Sequence, residues 1–158
     1  MRELILLRHA HAEPAVEGQA DMDRPLSPQG LAEAQAAGRW MAEQGILPDR
    51  VLCSPSRRTR ETLEAVLETI GYVDQRLDDS VYEATAGTLA GLVDANHEAE
   101  RLLLVGHNPG LERLAALMHS GQSGDYRGMP PASVVVLRLP VDASIEPGVA
   151  QLSAFWFP

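Results

Sequence analysis

Leu4-Ile5-Leu6-Leu7-Arg8-His9 opens the chain with four apolar residues that stop abruptly at two polar ones. A run this short and this uniformly apolar predicts a strand buried on both faces that feeds a loop. Such strands belong to parallel sheets covered by helices on both sides. The pattern returns at Arg101 to Val105, closed by Gly106-His107-Asn108-Pro109, and at Arg50-Val51-Leu52-Cys53, broken at Ser54-Pro55. Helical patterns fill the spaces between. Ser27 reads as a cap with Pro28 at the first helical position, the helix running to about Gln44 before Gly45 stops it. From Ser56 to about Ile70, residues Leu63, Val66, Leu67 and Ile70 share one helical face. Helices are also expected over Thr88 to His97 and from about Gly110 to His119. Asp78 to Ala86 reads as a loop or short edge element, and Gly121 to Pro131 as a Gly- and Pro-rich loop. Ser133 to Leu139 and Val149 to Phe157 read as two closing strands, antiparallel at one side. The alternation predicts an α/β three-layer sandwich, with a mainly parallel central sheet and helices on both faces, in a single domain spanning 1–158.

Composition narrows the partners. The net charge of −9 argues against nucleic acid and anionic membrane as the main ones. All 13 basic residues are Arg and none is Lys, which a base-composition bias explains. Their identity still excludes a Schiff-base lysine and a phosphate-binding loop of the Gly-Lys-Ser/Thr type. Phosphate, if bound, must be held by Arg, His or backbone amides. No apolar run approaches the ~20 residues that span a bilayer, and the first residues lack the pattern of a signal peptide. A cytoplasmic location is therefore expected, in keeping with the single cysteine, Cys53.

In open α/β sheets, ligands bind beyond the carboxyl ends of the strands. Three predicted strands end in Arg8-His9, in Ser54 to Arg58 and in His107-Asn108, and a parallel sheet brings those ends to one edge. Arg forks can hold a phosphoryl group bidentately. One neutral imidazole can attack phosphorus, and a second can stabilise the charge that develops. Taken singly, Arg8-His9 also reads as a capped strand end and His107 as a hydrogen-bonded core histidine. Arg57 and Arg60 read as the solvated face of a helix. The combination is what points to a site.

Leu6-Leu7-Arg8-His9-Ala10-His11-Ala12 resembles the RHG-type motif of the histidine phosphatase superfamily, with Ala10 where Gly is usual. Arg24-Pro25-Leu26-Ser27-Pro28-Gln29-Gly30, the segment Ser54 to Thr62, Val105-Gly106-His107-Asn108-Pro109 and Pro131-Ala132-Ser133-Val134 are similar to later motifs of its SixA-type, phosphohistidine phosphatase branch, in family order. The resemblance implies the phosphoglycerate mutase-like fold and phosphohistidine in proteins as substrate, with a role in signal transduction expected and His9 as nucleophile. It also implies phosphoryl contacts from Arg8, Arg58 and Arg24, with His107 completing the pocket. Glu83 lies where relatives place a general acid, and an ordinary surface carboxylate is the alternative reading. No cofactor and no metal are implied. The short chain leaves little room for a lid, which favours a phosphorylated protein or otherwise bulky substrate over a small phosphorylated metabolite.

Rival readings fail on spacing or size. A cysteine-based phosphatase needs Arg six positions after its Cys, where this chain has Thr59 after Cys53. His9-Ala10-His11 matches the ligand pair of barrel amidohydrolases, whose fold needs ~250 residues. A broad phosphomonoesterase and a module that binds phosphorylated partners without turnover stay open, as does the oligomeric state.

Overall fold

The computed structural model describes residues 2–122 and 128–158. Six strands form one sheet: β1 (Arg2–Arg8), β2 (Arg50–Cys53), β3 (Asp74–Leu77), β4 (Arg101–Gly106), β5 (Val134–Leu139) and β6 (Gln151–Trp156). Their order is β3-β2-β4-β1-β5-β6. The contiguous set β3, β2, β4 and β1 is parallel, while β5 and β6 run antiparallel at one side.

Alternation of side chains sends Leu4 and Leu6 of β1, with Leu102 and Leu104 of β4, to one face of the sheet. Ile5, Leu7, Leu103 and Val105 go to the other. Helices α3 (Ala86–Ala95) and α4 (Gly110–Ser120) cover the first face through Leu89, Val93, Leu111, Leu114 and Met118. Helices α1 (Pro28–Glu43) and α2 (Arg57–Ile70) cover the second through Ala37, Met41, Leu63 and Val66. Each face thus removes a continuous apolar surface from water, which is why the central strands are apolar without alternation. Replacing a fully buried leucine such as Leu104 by Ala should cost about 2–5 kcal/mol.

Several sequence expectations need correction. Strand β3 was not anticipated, because Asp74-Gln75-Arg76-Leu77 is exposed throughout and carries no apolar signal. It pairs with β2 at the sheet edge through backbone bonds, and its charged residues suit an edge. Helix α3 begins two residues earlier than Thr88, because the Thr85 side chain caps it by accepting the Thr88 N–H at 3.1 Å. The segment Asp78 to Ala86 is a loop with one 3₁₀ turn at Asp79–Val81. Ser56 is the cap of α2 rather than its first residue. The last strand spans Gln151–Trp156, shorter than 149–157. Part of the loop expected over 121–131, residues 123–127, lies outside the described residues. The start of α1 is as expected: Pro28 is its first residue, and Ser27 Oγ accepts the Gly30 N–H at 3.0 Å.

Candidate active site

The carboxyl ends of β1, β2 and β4 lie side by side, and each contributes to one cleft. Arg8 is the last residue of β1, and the His9 backbone N–H donates to the Gly106 carbonyl at the end of β4. The Ala132 N–H donates to the His9 carbonyl, and the Ala10 N–H to Thr62 Oγ1 at 3.0 Å. The turn after β1 is therefore pinned from β4, from α2 and from the segment entering β5. Ala10, the departure from the family's Gly, fits because its methyl group packs into a small-residue cluster with Ala34, Ala65 and Ala132.

The cleft, of about 450 Å³, is lined by Arg8, His9, Arg24, Arg58, Glu83 and His107. All six residues singled out in the sequence meet there. Tyr82, Thr85, Asn108 and Arg113 complete much of the wall. Four arginines thus face one glutamate, a local positive field on a chain of net charge −9. Such a field draws in anions. Arg57 and Arg60 are exposed and outside the cleft, as expected for a solvated helix face. Cys53 is a buried strand residue whose thiol burial pushes up to about 12.

Two imidazoles stand 5.3 Å apart between ring centroids. His9 Nδ1 is 2.8 Å from the Ala10 carbonyl, an acceptor only, so the ring proton belongs on Nδ1 and the lone pair on Nε2. Burial pushes the His9 pKa down to about 4, and the charges of Arg58, Arg8 and Arg24 add to that, against the raising effect of the Ala10 hydrogen bond. His107 is pushed down to about 3, by burial first and then by His9 and the arginines. Both rings are neutral at physiological pH, and a neutral imidazole is the nucleophilic form.

The arginines are tied from behind. Arg8 Nη1 donates to the Met129 carbonyl at 2.8 Å. Arg58 donates from Nη2 to the Asp21 carboxylate at 3.0 Å and from Nη1 to the Asp21 carbonyl at 2.8 Å. Arg24 Nη1 reaches the other carboxylate oxygen of Asp21 at 3.0 Å, and its Nε donates to the Glu13 carbonyl. Tyr82 donates its hydroxyl to Asp21 as well. Those bonds, Tyr82 first, hold the Asp21 carboxyl well below the usual carboxylate range. One carboxylate on the 3₁₀ turn Asp21–Asp23 therefore braces three side chains of the cleft wall. Nothing in the sequence singled it out; the spacing Asp21 to Arg24, three residues apart, was the available signal.

Glu83 sits in the wall with φ of 56°, a conformation a non-glycine residue adopts only at a cost. Its loop comes against the start of α4 at Gly110, where a Cβ would lie 2.4 Å from the Ala84 carbonyl oxygen. Only glycine permits that approach. Sequence reading missed Arg113, which lies on the exposed side of α4, and gave no individual role to Ser54, which is buried beside His107.

Residues 4–113 match the model of the histidine phosphatase superfamily, branch 1. The chain belongs to that superfamily. Among solved structures it is similar to a protein of Agrobacterium tumefaciens described as a phosphohistidine phosphatase, SixA (31% identity, TM-score 0.86, covering 99% of this chain and 98% of that one). A SixA-type structure from Nakamurella multipartita is similar at 30% identity and a TM-score of 0.86, covering 99% of this chain and 96% of that one. These neighbours place the chain in the SixA-type branch, with the α/β fold of the phosphoglycerate mutases, and its general activity is that of a phosphatase. An uncharacterized protein of Mycobacterium tuberculosis is 34% identical over 94% of this chain and 98% of the relative. A 2,3-bisphosphoglycerate-dependent phosphoglycerate mutase of Thermobifida fusca is 37% identical over 63% of this chain and 42% of the mutase. Among the described residues no helix is long and apolar enough to cross a membrane.

Proposed function

We propose that this chain hydrolyses phosphohistidine in proteins, through a phosphoryl group carried transiently on His9. The observation that carries the reading is the neutral His9, its proton committed to the Ala10 carbonyl, in a cleft with Arg8, Arg24 and Arg58. His9 Nε2 would form a bond to phosphorus as the bond to the leaving nitrogen breaks, the departing imidazole keeping the electron pair and taking a proton. Water would then attack the phosphorus of the enzyme adduct, releasing phosphate and restoring neutral His9.

The arginines would neutralise the phosphoryl oxygens and His107 would donate to one of them. Roles for all six residues, Glu83 as general acid included, belong to this proposal, as do the cytoplasmic location and the single-domain organisation. A protein substrate is favoured by the likeness to the SixA-type structures, at 30–31% identity over 99% of this chain. A second reading, hydrolysis of small phosphate esters, is favoured by the placement of Glu83, since an alkoxide leaving group needs an acid.

Side-by-side hydrolysis of a phosphohistidine protein and a panel of small phosphate esters tests the choice. Faster turnover of the phosphohistidine protein is expected. Preference for an ester would establish the second reading instead.

A further inference from the structure

Ser54 is fully buried between the end of β2 and the cap of α2. Its hydroxyl lies 2.8 Å from His107 Nε2. The same oxygen accepts the Ser56 N–H at 3.3 Å, and Thr59 Oγ1 donates to the Ser54 carbonyl at 2.8 Å. The serine is held in place from two sides. On the opposite edge of the imidazole, Nδ1 is 3.3 Å from Arg58 Nη2.

A guanidinium has donors only, so an Nδ1 facing Arg58 must accept, and the ring proton then sits on Nε2, directed at Ser54. A phosphoryl oxygen is the opposite kind of partner, because it only accepts. To donate to it from Nδ1, His107 must carry its proton there and accept at Nε2. In the resting site burial leaves the ring a single proton to place, and a neutral ring cannot donate from both edges. A hydroxyl can satisfy Nε2 in either state, because it both donates and accepts.

We infer that Ser54 is a positioning residue whose hydroxyl lets His107 exchange tautomers, accepting from Nε2–H in the resting site and donating to Nε2 when a phosphoryl oxygen takes the proton at Nδ1. The inference rests on reading the cleft as a phosphoryl site, and it names what prepares His107 for that task. The exchange makes and breaks no bond between heavy atoms. Nδ1 takes a proton from water in the cleft and the Nε2 proton is returned to that water, the ring passing through its doubly protonated form, so its net charge is unchanged.

Nitrogen NMR of the imidazole rings tests it on the wild-type protein, with and without tungstate as a stand-in for the phosphoryl group. Protonated and unprotonated ring nitrogens resonate far apart, so the tautomer is read directly. His107 should carry its proton on Nε2 alone and on Nδ1 with tungstate bound. The same tautomer in both states, or a ring protonated at both nitrogens with tungstate bound, overturns the inference and leaves the phosphoryl site standing. Failure of tungstate to bind or inhibit takes down the phosphoryl reading itself. Ser54→Ala should lower kcat by roughly 10–100-fold with a smaller change in KM, by analogy with the loss of the hydrogen-bond partner that orients a metal-ligating imidazole. Ser54→Thr, which keeps a hydroxyl, should recover most of it. Unchanged kcat in Ser54→Ala would also overturn the inference.

Discussion

Asp21 and Arg58 are joined twice, by a carboxylate contact of 3.0 Å and a backbone carbonyl contact of 2.8 Å, across 37 residues of sequence. Asp21 is not itself part of the cleft wall, whereas Arg58, Arg24 and Tyr82, all bonded to it, are. The carboxylate thus sets where the positive charge of the site points. In Asp21→Asn the charge is lost but the shape is kept. With Asp21 half-exposed, a loss of about 1 kcal/mol is expected, roughly a fivefold weaker tungstate inhibition constant. Inhibition assays check it; unchanged inhibition would show that Arg58 keeps its position without the carboxylate.

Replacing His9 by Ala should abolish turnover and phosphoenzyme labelling together, with the fold retained by circular dichroism. In the wild type, trapped label should resist alkali and be lost in acid, as a phosphoramidate is. Mapping of the label to a serine or to Cys53 would show that the nucleophile is misassigned.

Four arginines around the cleft supply the positive charge that a metal ion would otherwise provide. Activity should therefore survive EDTA, while vanadate and tungstate inhibit by occupying the phosphoryl position. Loss of activity on chelation, restored by zinc or magnesium, would contradict this account.

Glu83→Gln separates leaving groups. An alkoxide needs protonation, p-nitrophenolate hardly does, and imidazole acquires its proton readily near neutral pH. The variant should slow alkyl phosphates by the ~10²–10⁴-fold typical of lost acid–base help. Phosphohistidine and p-nitrophenyl phosphate should slow much less. Equal losses on all three would mean that Glu83 shapes the wall without giving up a proton.

The two histidines make stability depend on pH in a definite direction. Their folded pKa values, about 4 for His9 and about 3 for His107, lie below the ordinary 6.5 that applies when the chain is unfolded. Between those values the unfolded chain binds protons that the folded one refuses, so stability falls as pH drops below about 6.5. The contribution is complete above that value and disappears as pH falls through about 4 and then about 3. Thermal melts from pH 8 to 4 should show the decline, and His9→Ala should flatten it. The acid limb of kcat/KM, corrected for substrate ionisation, should also lie well below 6.5. A limb at an ordinary histidine value would show that His9 is not buried in the working enzyme.

The strands β1, β2 and β4 are legible in the amino-acid order because burial on both faces demands unbroken apolar runs, and such runs end visibly at Arg8-His9, Cys53-Ser54 and Gly106-His107. Parallel pairing then requires those ends to meet, so most of the candidate site follows from pattern and topology. Strand β3 leaves no such trace, because its side chains are exposed and its backbone bonds to β2 are indifferent to residue type. The same holds for what supports the site. Tyr82 reaches Asp21 across 61 positions and Ser54 reaches His107 across 53, distances over which local propensity carries no information. The protonation states of His9 and His107 are likewise set by the low-polarity surroundings the folded chain builds, since an imidazole in an extended chain would titrate near 6.5.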